Sequence, residues 1–118
     1  MGSDVSGLDY FEGYGPSSEG IFSVDGINLT GDITVAVSTN FEISLTSGSG
    51  FTNSLNVISD QSGTASATIY VRLASGLTPD TYTGNASVTT TGADSQTVSL
   101  TGTVTAADPQ ITVTAFLD

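Results

Sequence analysis

Ala65-Ser66-Ala67-Thr68-Ile69-Tyr70-Val71-Arg72-Leu73 is the stretch that decides the fold. Ala65, Ala67, Ile69, Val71 and Leu73 alternate with Ser66, Thr68, Tyr70 and Arg72. Successive side chains of an extended chain point to opposite faces, so this pattern puts one face in an apolar core and the other in water. The branched Cβ atoms of Ile, Val and Thr suit a pleated surface. The pattern recurs in both directions. Downstream, Tyr82, Gly84, Ala86 and Val88 alternate with Thr83, Asn85 and Ser87, and Val98, Leu100, Gly102 and Val104 with Thr97, Ser99, Thr101 and Thr103. Upstream, Ile33, Val35 and Val37 repeat it, as do Phe41, Ile43 and Leu45. We read strands over 4–10, 19–25, 32–38, 40–46, 54–58, 65–73, 81–90 and 96–105. No window carries a 3.6-residue period.

Turn chemistry separates these strands. Asp25-Gly26, Thr30-Gly31, Ser47-Gly48-Ser49-Gly50, Ser62-Gly63, Thr78-Pro79-Asp80 and Thr91-Gly92-Ala93-Asp94 are turn-type clusters. Short strands between such clusters, without helices, imply an antiparallel β-sandwich or barrel. The 118 residues suffice for one domain. Its bounds are expected at 4–106, with 107–118 a linker or the first strand of a following module. Val113-Thr114-Ala115-Phe116-Leu117-Asp118 resembles Val5-Ser6-Gly7-Leu8-Asp9 with one inserted residue, a spacing of about one domain. Met1-Gly2-Ser3 reads as an added start, so a leader or preceding domain is expected to have been cut away.

Composition excludes several chemistries. Ser, Thr and Gly number 17, 19 and 14, while Leu, Ile, Val and Phe number 8, 7, 10 and 5, enough for a small core. Twelve acids face a single base, Arg72, for a net charge of −11, and there is no Lys, His, Cys or Trp. Tracking phosphates takes several cations, so nucleic-acid binding is excluded, and an anionic bilayer is disfavoured. Without His or Cys there is no Ser–His–Asp or Cys–His catalysis, no His- or Cys-based zinc site and no disulfide. No apolar run approaches the length of a membrane span.

Leu77-Thr78-Pro79-Asp80-Thr81-Tyr82 sharpens the class. In immunoglobulin-like sandwiches a Tyr near the start of strand F turns its hydroxyl back to an upstream backbone group, the tyrosine corner. Tyr82 is placed to do this, with Leu77 plugging the core beneath it; the alternative is an ordinary alternating core residue. The strand B–F disulfide and strand C Trp of antibody domains are missing. Several segments, in order, carry a wider resemblance: Tyr10-Phe11-Glu12-Gly13-Tyr14-Gly15-Pro16-Ser17, Phe22-Ser23-Val24, Asn28-Leu29-Thr30-Gly31, Asn40-Phe41-Glu42-Ile43-Ser44, Ile69-Tyr70-Val71-Arg72-Leu73, and Gln96-Thr97-Val98 through Val104. Over residues 8–105 the chain resembles the immunoglobulin-like modules of secreted bacterial multidomain proteins. Such modules sit beside surface enzymes, nucleases and adhesins, often in tandem, and share no catalytic residues. The resemblance implies an extracellular, non-catalytic spacer without cofactor, whose partners are neighbouring domains of its own polypeptide. The alternative is an adhesion module that binds carbohydrate or a surface protein.

Candidate sites are few. Asp9, Glu12, Glu19 and Glu42 could supply a glycosidase pair, but surface acids of any acidic protein look the same. The Asp25–Asp32 loop offers oxygen ligands for calcium without the alternating calcium-loop pattern, and ordinary turns use the same residues. Tyr10, Phe11, Tyr14 and Phe51 are the aromatics that alternation explains least. They form either a ligand-contact face or a flap that closes one end of the sandwich. Arg72 points outward and is expected to pair with a carboxylate or stack on an aromatic. Asn28-Leu29-Thr30 and Asn85-Ala86-Ser87 match the glycosylation acceptor pattern, common by chance at this Ser/Thr content.

Overall fold

A computed structural model describes residues 3–107, 111 and 113–115. Nine strands run in chain order: β1 (Ser3–Val5), β2 (Tyr10–Phe11), β3 (Gly20–Gly26), β4 (Ile33–Val37), β5 (Phe41–Ser44), β6 (Ser54–Val57), β7 (Ala65–Leu73), β8 (Asp80–Thr89) and β9 (Gln96–Thr105). The fold is all-β, with no helix among the described residues. One sheet has the order β1-β9-β8-β4-β6, with β2 also pairing with β9; the other has the order β3-β7-β5.

Alternation builds the core directly. On β7, Ile69, Val71 and Leu73 are fully buried while Ser66 and Thr68 are exposed. From the larger sheet they meet Val35, Ala86, Leu100 and Val104, and these residues join Phe22, Val24, Phe41 and Ile43 in a single cluster shared by both sheets. Fully burying each Val, Leu, Ile or Phe contributes about 1.5–3 kcal/mol. The two sheets therefore face each other across one apolar layer, as in a β-sandwich.

Three local readings need correction. The expected strand 4–10 is two strands. Val5 pairs with Leu100 and Tyr10 with Val104, so five steps along the N-terminal segment oppose four along β9. The extra residue is absorbed around Gly7, whose φ is +75°, and Leu8 turns into the core at 2% exposure. This is a bulge, and it raises the strand count to nine. Second, the sandwich is not wholly antiparallel: β1 and β2 both run parallel to β9. They fill the edge of β9 opposite β8, where the N-terminal segment runs in the same direction. Third, β5 ends at Ser44, leaving Leu45 exposed. Ser44 is buried instead. Its hydroxyl donates to the Ser49 carbonyl (2.5 Å) and accepts from the Thr46 amide (2.9 Å), closing the loop on itself.

Parallel pairing fixes where the chain enters and leaves. β1 starts opposite Val98, near the start of β9, and Phe11 sits opposite Thr105 at its end. A ten-residue strand spans about 33 Å. The described chain thus enters at one end of the sandwich and reaches the end of its last strand at the other.

Candidate functional site

The four singled-out aromatics are divided by the structure. Tyr10 is 8% exposed and belongs to the core. Its hydroxyl donates to the Ala74 carbonyl (2.6 Å) and accepts from the Leu77 amide (3.2 Å), tying β2 to the β7–β8 connection. That removes Tyr10 from any ligand-contact face. Phe51 is half-buried, and the Arg72 guanidinium lies 3.8 Å above its ring. Arg72 also donates from Nε to Glu42 Oε1 at 2.8 Å, and the two are register partners on β7 and β5. The only cation in the chain thus has both a carboxylate and an aromatic partner.

Phe11 and Tyr14 remain, 55% and 77% exposed. They are the first and last residues of one tight turn: the Tyr14 amide donates to the Phe11 carbonyl (2.9 Å). Gly13 takes the third position with φ +87°, a conformation that a side chain disfavours. The turn is anchored at two points. Within it, the Glu12 amide bonds the Thr105 carbonyl (2.8 Å). After it, the Ser17 hydroxyl, buried at 6% exposure, accepts from the Leu73 amide (2.9 Å), while the Ser17 amide donates to the Leu73 carbonyl (3.1 Å). Two aromatic side chains therefore stand in water on a backbone that is already fixed, at the end of the sandwich where β9 finishes.

Beside this turn, the Tyr82 hydroxyl donates to the Thr78 carbonyl four residues upstream (2.7 Å), and Leu77 packs against the core. This is the geometry expected from Leu77…Tyr82. Tyr82 itself is only half-buried.

Four carboxylates have separate partners. Asp9 Oδ1 accepts from the Thr103 amide (2.8 Å), and Glu19 from the Ser47 hydroxyl (2.7 Å) and Gly48 amide (2.8 Å). Asp25 accepts from the Ser66 hydroxyl (2.6 Å) and Asp32 from the Ser59 amide (3.0 Å). Among the described residues no three His, Cys, Asp or Glu side chains gather to hold a metal ion. Missed in the sequence was Asp60, whose carboxylate accepts from the Ser62 hydroxyl and from the Thr64 and Ser62 amides at 2.7–3.0 Å. These bonds, the Ser62 hydroxyl foremost, hold its pKa below the ordinary carboxylate value. The opposite end of the sandwich carries an open groove of about 200 Å³, lined in part by Ile27, Leu29, Ile33, Val88 and Ala93.

No protein-family model matches the chain, and no curated protein matches it. Among solved structures, a family 123 glycoside hydrolase from Clostridium perfringens, described for glycolipid glycan hydrolysis, is similar over 86% of this chain. The TM-score is 0.52 and the identity 17%. The likeness is one of fold. This chain spans about a fifth (22%) of that enzyme chain.

Proposed function

We propose that this chain is an immunoglobulin-like, non-catalytic module that spaces or presents other domains of a larger secreted or cell-surface bacterial protein. The carrying observation is the course of the chain: parallel pairing of β1 and β2 with β9 makes it enter at one end and finish β9 at the other. A unit strung this way lengthens a polypeptide by the length of its own sheet. The Tyr82–Thr78 bond supports the immunoglobulin-like assignment. The fold likeness to about a fifth of a glycoside hydrolase chain is what a module within a larger enzyme would give. Asp9, Glu19 and Glu42 are each engaged by separate amide, hydroxyl or guanidinium donors, which supports the non-catalytic reading.

A second reading has its own observation. Phe11 and Tyr14 are exposed on a fixed turn, and exposed aromatics serve as platforms for sugars and proteins. One experiment separates the two. Backbone resonances of the full chain are followed while a panel of mono- and oligosaccharides is added to about millimolar concentration, the range of weak single-site affinity. The spacer reading expects no saturable shift. Saturable binding that Tyr14→Ala abolishes, with the fold retained, would replace it by the adhesion reading.

A further inference from the structure

The two ends of the molecule differ in shape but share an apolar character. At the finishing end, Phe11 and Tyr14 project from their anchored turn. At the entering end, the groove between the β3–β4 and β8–β9 connections is lined by Ile27, Leu29, Ile33, Val88 and Ala93 together with Asp25, Thr89, Thr90, Asp94 and Gln96. Ile27 on its rim is 74% exposed. An apolar cavity of about 150 Å³ takes a benzene ring, so the larger groove has room for one aromatic side chain. One end is an aromatic projection and the other is a recess with apolar walls and two carboxylates in its lining.

We propose that these ends are the two halves of a head-to-tail joint between copies of this chain. The Tyr14 ring enters the groove of the next copy, and Phe11 covers Ile27 at its rim. This rests on the module reading above and adds the partner and the contact.

The occupant follows from the direction of the chain. Phe11 is the register partner of Thr105, so the projection stands where β9 ends. In the sequence, Val113 onward resembles Val5 onward, and Val5 pairs with Leu100 in the entering half of β9. Val113 lies eight chain steps beyond Thr105, and eight extended steps reach at most about 29 Å. A following copy that begins there has its entering end held close to this projection. Tethering at that distance sets an effective concentration on the order of millimolar, so a weak contact suffices to set the angle between modules.

Charge gives the joint an unusual signature. Glu12 lies within the projecting turn, while Asp25 and Asp94 line the groove. Like charges meet across the joint, so free copies associate better as salt rises, the reverse of an interface held by ion pairs.

A head-to-tail contact is heterologous, which allows a complementation test. The full chain is measured by sedimentation equilibrium and NMR diffusion up to about millimolar, the concentration that tethering supplies. Sodium chloride is varied up to roughly 0.5 M, which cuts the Debye length to a few ångströms. Three proteins are compared: the unaltered chain, Phe11→Ser/Tyr14→Ser and Ile27→Ser. The altered residues are exposed, and circular dichroism checks their fold; Tyr14→Ser alone substitutes should the double variant fail to fold. The unaltered chain should assemble beyond the dimer with concentration, more so at high salt. Each variant alone should associate at least tenfold more weakly. An equal mixture of the two should give dimers and nothing larger, because one intact projection meets one intact groove.

A chain that stays monomeric throughout overturns the joint, as does association that survives both variants or a mixture that stays monomeric. None of these results touches the spacer reading, which the sugar titration decides.

Discussion

Two tyrosine hydroxyls fasten the finishing end, and they differ in what surrounds them. Tyr10 is buried and its hydroxyl serves two backbone groups, Ala74 O and Leu77 N. Tyr82 is half-buried and serves Thr78 O, with the Thr78 hydroxyl also within reach at 3.3 Å. Water reaches the second bond more readily than the first. Tyr82→Phe should therefore cost about 0.5–1 kcal/mol, and Tyr10→Phe about 1–2 kcal/mol, because it leaves a partly buried donor and acceptor unpaired. Urea midpoints of both variants check the order, and a Tyr82→Phe loss equal to or larger than that of Tyr10→Phe would contradict it. The role of Tyr82 was legible because its partner lies four residues away and the intervening Pro79-Asp80 spells a turn. That of Tyr10 was not, because its partners are 64 and 67 residues distant. Asp60 gives a residue-scale pH effect. Its carboxylate is held below its ordinary pKa by the Ser62 hydroxyl and the Thr64 amide. A group whose folded pKa lies below its unfolded one adds stability above the unfolded value and loses it as pH falls through the folded value. Asp60→Asn should accordingly lower the melting temperature at neutral pH, and the gap from the unaltered chain should close below about pH 4, under the ordinary carboxylate range. A gap that does not change with pH would count against it.

At the scale of elements, the period-two pattern located the long strands to within about two residues. It did so because β7, β8 and β9 each have one face in the core and one in water, so burial writes itself into the sequence. It also found the short strands β4, β5 and β6, and failed only at the first two. β1 and β2 together contain five residues, too few to show a period, and the bulge between them reverses which residues face inward. Their parallel direction is a tertiary fact with no local signal. Ser44 is buried by hydrogen bonds to the loop that follows it and Ser17 by bonds to Leu73 at the end of β7, so polar residues there break the apolar rule. Gly102 shows how tightly the bulge sits. A Cβ there would fall within contact distance of the Leu8 carbonyl oxygen and carbon and of Leu73 Cδ2. Backbone cannot swing aside as a side-chain tip can, so Gly102→Ala should destabilise by about 1–3 kcal/mol as the Leu8 segment is pushed off β9. Gly31→Ala is the matched control, since its Cβ would meet nothing within 4 Å. A denaturation midpoint for Gly102→Ala equal to that of the control would show that the N-terminal segment is not seated on β9.

For the whole molecule, the governing number is the net charge of −11 on 118 residues. Arg72 can offset only one neighbour, and it is committed to Glu42. That pair is partly exposed, with side-chain accessibilities of 24% and 30%, so its own contribution is about 0–1 kcal/mol and shrinks as salt screens it. The remaining carboxylates repel one another across a sandwich whose sheets are only about 10 Å apart, a distance comparable to the Debye length of about 10 Å at 0.1 M salt. Folding concentrates these charges and unfolding disperses them, so repulsion favours the unfolded chain. Added monovalent salt weakens the many repulsions and the one attraction together, and the repulsions outnumber it. The melting temperature should therefore rise as sodium chloride goes from low to physiological concentration and level off once the Debye length falls below the spacing of the carboxylates. Scanning calorimetry of dilute protein, where copies do not meet, reads this directly. A melting temperature that falls steadily with salt would mean that the Arg72–Glu42–Phe51 cluster outweighs the field of the whole molecule. Arg72→Gln would then abolish the fall, whereas under repulsion it leaves the upward slope in place and steepens it.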